Sequence, residues 1–430
     1  MIHYLTTAAL PVLVIGGGVF FLINLGFFFV RRPIKTARTM ASGKSPLREL
    51  CLSLAGTLGV GNIVGVSMAI SLGGAGAVFW MWISAAICAV LKYAEITLAV
   101  KYRRFENGAV LGGPMYYMED GVGGRHGRTL AVIFSVLGLL MSLVMGNLVQ
   151  SRALTDAAER IFPAPTWVIG IALAALCALS IFGGYSAVSR VTAVIVPLMS
   201  AAYVAVSLWI LISNGARVPG VVREIFASAF HIGAAGGGAV GFFTSAAIRH
   251  GVSKGVFSHE AGGGTAPLSH AQTKESVPAR QGLLGLVEVF FDSGVICTLT
   301  AFVLLLAPAG DKIGTMRVYS AFTHFCGDAG GVFVSTSIIL FAFSTMICWG
   351  YYGRTCLFYL SRNRAAINIY LSLYSAFGAV GAFVGEGRVW ALNDVGVFLM
   401  TTINVISLIV LSGEVRRETE RIGLIKPRGK

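Results

Sequence analysis

The feature that most constrains this chain is its succession of apolar runs, each long enough to cross a bilayer. As a helix, about 18–20 apolar residues span roughly 30 Å of hydrocarbon. Such runs fall near 8–30, 52–72, 76–100, 129–150, 166–183, 191–213, 224–249, 281–308, 329–348, 365–384 and 392–413. With 56% hydrophobic and 12% charged residues, the chain holds more apolar surface than one water-soluble core can hide. The reading is an all-α polytopic membrane protein with about 11 transmembrane helices.

Lys and Arg exceed Asp and Glu by 14, a balance that in another setting would suggest nucleic acid. Here the basic residues sit between apolar runs and on alternate sides of them. If the N-terminus is outside, the cytoplasmic segments (31–50, 101–128, residue 190, 249–280, 354–364 and 416–430) carry 25 of the 33. The outer segments carry seven, and Lys92 lies within the third span. An odd span count then leaves the C-terminus inside, so the expectation is a multi-pass protein of the cytoplasmic (inner) membrane, with the bilayer and no nucleic acid as partner. The first run exceeds the apolar region of a cleaved signal and reads as a retained helix. The seven cysteines form no disulfide framework and no paired CxxC zinc pattern. No Walker A loop is present, so direct use of ATP is not expected. No span carries a nucleophile–base pair or metal-ligand set, which argues against an enzyme and against a bound cofactor.

Loops are short, so residues 1–430 read as one membrane domain. The inner segments 101–128 and 250–280 are expected to pack on the bundle's inner face. Two spans are interrupted by glycine: the second by "GTLGVGNIVG" (56–65), the seventh within "HIGAAGGGAVGFFTSAAIR" (231–249). Being five spans apart, they cross in opposite directions. Interrupted helices at matching places in oppositely oriented halves point to a transporter built as an inverted repeat. The halves would be spans 2–6 (51–213) and 7–11 (224–413), preceded by a first span and linker (1–50) and followed by a tail (414–430). Glycine in membrane helices also serves close packing, but paired positions favour unwinding. Freed backbone groups survive in lipid only where something else satisfies them. A half-helix N-terminus offers N–H groups to a carboxylate, and C-terminal carbonyls can hold Na⁺.

Polar residues inside the spans are few. Asn62, with Thr57 before it in the break, could serve a zwitterion or sodium, or make an interhelical hydrogen bond. Gln150 ends the fourth span three residues after Asn147, which puts both on one face, either functional or at the membrane boundary. In the ninth span Ser344, Thr345 and Trp349 offer hydroxyls and an indole; Trp349 near the span's end could equally be an interfacial tryptophan. Lys92 and Glu95, three apart, are expected to pair. Glu288 and Asp292 face one side, and the deeper Asp292 could bind sodium, carry a proton or bond a neighbouring helix. His259, Glu260 and His270 lack the HExxH spacing of a metal site.

Ordered blocks across nearly the whole chain resemble the alanine or glycine:cation symporter family. They are "GTLGVGNIVGVSMAISLGGAGAVFWMW", "KYAEITLAVKYR", "GGPMYYMEDGVG", "GNLVQS", "GVSKGVFSHEAGGGTAPLSHA", "RQGLLGLVEVFFD" and "FAFSTMICWGYYG". The resemblance implies a LeuT-like fold with a 5+5 inverted repeat, and import of alanine or glycine with Na⁺. It also implies that Asn62, Gln150, Thr345 and Trp349 line the amino-acid site. Two stretches depart from the family pattern. Where SNEAGLG is common, this chain has Ser258-His259-Glu260-Ala261-Gly262-Gly263-Gly264, and Phe242 and Phe243 follow a shifted glycine run.

The expected mechanism is alternating access. A substrate carboxylate would meet backbone N–H groups from Gly59 through Gly61 to Asn62 and the Gln150 amide; its ammonium would meet carbonyls of the broken seventh span near Trp349. Sodium would sit between the first break, including Thr57, and Ser344 and Thr345, with no other metal. The alternatives are proton coupling through Asp292 or Glu288, and an amino-acid sensor that binds without transport.

Overall fold

The computed structural model describes residues 2–42, 47–230, 245–308 and 310–427. Helices dominate; among the described residues the only sheet is a hairpin pairing Arg104–Glu106 with Ala109–Leu111. Among the described residues, six helices are long and apolar enough to cross a membrane: Gly76–Lys101, Gly124–Ala158, Gly184–Ser213, Pro278–Leu306, Gly314–Leu360 and Gly387–Val410. Ala8–Asn24, Val64–Gly73 and Thr166–Ile181 are shorter apolar helices. The expected count is larger because apolar runs in sequence do not have to be single helices: the second is divided, and the seventh passes through residues outside the described ones.

The first division falls in the glycine stretch. Helix Leu47–Thr57 stops, Val60–Asn62 forms a single 3-10 turn, and Val64–Gly73 resumes. A further division comes later in the chain than the glycine run expected to hold the second. Residues 231–244, with Phe242 and Phe243, are outside the described residues. The neighbouring sequence forms helix Val218–Ala229 before them and helix Ala246–His259 after them. That second helix carries the chain into what reads from sequence as an inner loop, and it ends at Glu260; a short helix, Ala266–His270, follows. The expected loop 250–280 is therefore largely buried helix and break. Its Ser253, Lys254, Ser258 and His259 look water-facing in sequence, yet all are buried. Each polar group that finds a partner inside removes the cost of burying it, and sequence does not display those partners.

The two interrupted helices lie side by side and run in opposite directions. A Cβ on Gly73 would touch the Ala246 carbonyl at 3.0 Å, and one on Gly61 would stand 3.1 Å from the Ser258 Cα. Absent side chains permit this approach, as small residues do at membrane-helix contacts. Helix Gly76–Lys101 runs along the second interrupted helix, with Gly251 against Ala77 and Trp80, and Gly255 against Ser84. Helix Gly314–Leu360 bends at Gly327, whose φ of +61° leaves helical geometry, and then passes the first break.

At the hairpin end the polar helix Ser412–Arg421 docks on Lys101, which bonds Glu414 and lies 2.9 Å from Glu418. The Lys101 hydrogen bond holds the Glu414 carboxyl below its ordinary value. Stability from a depressed carboxylate is present above its unfolded pKa and lost as pH falls through the folded one. Glu414→Gln should therefore lower the melting temperature in detergent at neutral pH, with the difference vanishing in acid below the folded value. Gly61→Ala, whose new methyl would press Phe257 at 3.0 Å, should destabilise by about 1–3 kcal/mol through overpacking. Gly220→Ala, with nothing within 4 Å, is the control in the same melts.

Candidate functional site

Where a helix stops in an apolar interior, its free N–H and C=O groups need partners. At the first break side chains supply them. Gly59 N–H donates to Asn62 Oδ1 at 3.0 Å and Val60 N–H to Gln150 Oε1 at 3.1 Å. Thr345 Oγ1 lies 3.0 Å from the Ala55 carbonyl and 3.3 Å from the Leu58 carbonyl. The approach is close because Gly59 has no side chain: a Cβ there would stand 2.5 Å from Thr345 Oγ1 and 3.1 Å from Gln150 Oε1. The Asn62 amide also donates to Asp292 Oδ1 at 2.6 Å.

At the second break the backbone is left-handed at Glu260 (φ +53°), Gly262 (+83°) and Gly264 (+81°). His259 Nδ1 accepts from Ala261 N–H at 3.1 Å. One flanking helix braces both lips. Lys92 donates to the His259 carbonyl at 3.1 Å, and Glu95 Oε2 accepts from Gly264 N–H at 3.0 Å and from Asn404 at 2.8 Å. Lys92 and Glu95 thus do not form the expected ion pair. The amine pairs instead with Glu288 at 3.1 Å, whose other oxygen is 2.6 Å from His270.

The breaks meet at Asp292. Besides Asn62, its carboxylate accepts from Ser258 at 3.0 and 3.1 Å and from Ser293 at 2.8 Å. All four residues are buried. Glu288 and Asp292 do not share surroundings: the wide-turned segment Phe290–Cys297 begins between them, and each serves a different helix.

A similar wide turn, Val144–Leu148, separates Asn147 from Gln150. Asn147 bonds the Tyr374 carbonyl at 2.7 Å while Gln150 turns to the first break, so their expected shared face is lost. Gln150 lies well within a helix that continues to Ala158, and Trp349 is 1% exposed inside a helix ending at Leu360. Both are buried within helices that continue past them.

Beside the second break lies a narrow pocket, about 20 Å³ and so with room for about one water, bounded by Met145, Val256, Glu260, Gly263, Thr265, Trp349, Val397, Met400 and Thr401. Trp349 Nε1 donates to Glu260 Oε1 at 3.2 Å. The structure therefore groups the sequence-selected residues into three places. Trp349 faces the cavity; Gly59, Gln150 and Thr345 converge on the first break; Gly61 and Asn62 lie where the breaks touch. Thr57 and Ser344 bond carbonyls of their own helices. Sequence reasoning gave no site role to Ser258 or Thr265 and considered Glu260 only as a metal ligand. Their signal was the polar cluster preceding and following three glycines.

Toward the opposite end from the hairpin, Lys254 pairs with Asp394 at 2.9 and 3.0 Å and sits 4.3 Å from the Trp390 ring centroid. Phe257 packs edge-on against that ring with centroids 4.8 Å apart. This pair joins the second interrupted helix to helix Glu386–Val410.

Two antiparallel interrupted helices embraced by apolar ones define a transporter of the LeuT-type fold. The whole architecture matches a Na⁺-coupled sialic acid symporter solved in a substrate-bound outward-open state, with TM-score 0.58 at 14% identity over 99% of this chain and 98% of that one. The chain belongs to the sodium:alanine symporter family, whose model matches residues 1–423; it is a transporter and not an enzyme. An uncharacterized transporter of Haemophilus influenzae is 38% identical over 96% of this chain and 92% of its own length. The sodium/alanine symporter AgcS of Methanococcus maripaludis is 36% identical over 96% and 94%.

The buried Lys92–Glu288 pair yields a direct test. Removing one member strands the other's charge, at about 3–5 kcal/mol. Lys92→Met and Glu288→Gln should each lower thermal stability by that order, and the double variant should lose less than the sum, as read by melting in detergent.

Proposed function

We propose that this protein imports a small neutral amino acid, alanine or glycine, together with Na⁺ across the cytoplasmic membrane by alternating access. The observation that carries the reading is Asp292, a buried carboxylate held by neutral donors from both breaks. A cation at that point would bind the two interrupted helices to each other. Carboxylate and hydroxyl oxygens are hard ligands suited to an alkali ion. A second set of oxygens, the Ala55 and Leu58 carbonyls with Thr345 Oγ1, offers the same chemistry at the first break. Of the hydroxyls considered for sodium, Thr345 is the one aimed at break carbonyls.

The substrate carboxylate would take over the N–H groups of Gly59 and Val60 from the Asn62 and Gln150 amides, while the small body would widen and fill the pocket under Trp349. In this reading the chain has 11 spans in one domain, N-terminus outside and C-terminus cytoplasmic. The two interrupted helices open the repeats 51–213 and 224–413. Support comes from their antiparallel course and from the clustering of Lys and Arg on one side. Shifting Lys254 from the inner segment into the core leaves that asymmetry intact.

One Na⁺ descending a tenfold gradient and about 100 mV supplies roughly 1.4 and 2.3 kcal/mol, enough for several-hundredfold accumulation. The test is uptake of labelled alanine and glycine into proteoliposomes under an inward Na⁺ gradient, against an equal K⁺ gradient. Accumulation should require Na⁺, and Asn62→Ala and Asp292→Asn should each reduce it at least about tenfold, the loss of one strong interaction. Accumulation that follows a proton gradient instead would make Asp292 a proton carrier. Binding without uptake would make the protein a sensor.

A further inference from the structure

The reading above leaves Glu260 without a role, and its surroundings call for one. Around the breaks the buried carboxylates are Glu95, Glu260, Glu288 and Asp292. Lys92 and His270 both pair with Glu288, and Lys254 pairs with Asp394. Among the described residues, no Lys, Arg or His forms an ion pair with Glu260. Its oxygens accept from Trp349 Nε1 at 3.2 Å and Thr265 Oγ1 at 2.5 Å. Two neutral donors orient the group, and the one cation that acts on it, Lys92, does so from beyond contact while bonded to Glu288 and the His259 carbonyl. Kept ionised there, a carboxylate is strongly unfavourable unless a cation joins it, and without one it takes up a proton.

The backbone points the same way. Glu260 holds φ +53°, a left-handed conformation that glycine adopts without strain. The chain has glycine at positions 262, 263 and 264 and keeps a carboxylate at 260 against this preference. The side chain borders the cavity, whose other walls include Met145, Val256, Trp349, Val397 and Met400. This pocket, mostly apolar with one carboxylate in its wall, matches in chemistry, and would have to widen to admit, a molecule with one cationic end and a small apolar body. The indole that fixes Glu260 also presents an aromatic surface to the same pocket, and such surfaces attract ammonium groups.

We infer that Glu260 is the anchor for the substrate's ammonium group, with Trp349 and Thr265 as its positioning residues. This rests on the proposed amino-acid symport and adds a chemical selection to it: the site takes 2-amino acids and rejects their 2-hydroxy analogues. With Asp292 assigned to a cation and Glu260 to the amine, two of the three carboxylates without an ion-pair partner gain one on loading. Glu95 keeps its two neutral donors as a brace.

The experiment is competition against bound labelled alanine in the full-length protein in nanodiscs with Na⁺, using unlabelled alanine and lactate. A site built around the amine should prefer alanine to lactate by about 10⁴-fold, as sites with a required polar partner do. Glu260→Gln should weaken alanine by at least about 100-fold while leaving lactate within about tenfold of its wild-type affinity, so that the ratio collapses. Glu260→Asp, which keeps the charge, should retain a preference for alanine. A purely structural role would weaken both ligands in parallel and leave the ratio unchanged, which overturns the assignment. Equal affinity for alanine and lactate in the wild type overturns it without any variant, should Glu260→Gln fail to fold. If glycine and alanine both fail to bind the wild type, the symport reading itself falls and takes the assignment with it. Alanine binding without discrimination removes Glu260 alone.

Discussion

Two helices stop midway through a bundle that is apolar on nearly every side, and the backbone groups released there have no water to turn to. An unsatisfied group in such a medium costs several kcal/mol, so the stops exist only because side chains are placed to meet them. Helix Gly76–Lys101 contributes a cation and an anion one turn apart, Lys92 for a carbonyl and Glu95 for an N–H. At the other stop an amide and a hydroxyl from two further helices do the same work, Gln150 for Val60 and Thr345 for Ala55. Much of the polar content of the core is explained by this duty before any ligand is considered.

The same bonds connect the stops to each other. Asn62 belongs to the first, Ser258 leads into the second, and both donate to Asp292 on a third segment. That segment is itself wide-turned from Phe290 to Cys297, a geometry that recurs at functional sites because it re-aims side chains. A charge added at Asp292 therefore acts on three elements at once. Coupling of this kind needs no long pathway: a ligand shifts a conformational equilibrium by its difference in affinity for the two states, and here the contact is direct.

The parts legible in sequence were those written in local pattern. The apolar runs marked most helices, and Gly59 and Gly61 marked the first stop because Gln150 and Thr345 crowd the one and Phe257 and Ser258 the other. The stop at Glu260 was not read as one, since Lys254, Ser258, His259 and Glu260 have the composition of a wetted loop. What makes them core residues is Asp394, Asp292, Lys92 and Trp349, and no local pattern joins positions so far apart in the chain. Asn147 shows the opposite limit. Its spacing from Gln150 implies a shared face only if the turns between are regular, and one wide turn is enough to separate them.

Fastening the Lys254 ammonium to Asp394 beneath the Trp390 ring also determines how that seam can part. Dry, the two charges attract strongly because the surrounding medium screens them little. Once water enters, the attraction weakens, but both groups are rehydrated at the same time, and the two changes largely offset each other. A leucine pair of similar bulk would have to expose apolar surface to separate and would gain nothing from water. A junction made of opposite charges can therefore be undone by wetting and remade by drying at little net cost, which apolar contact alone does not permit.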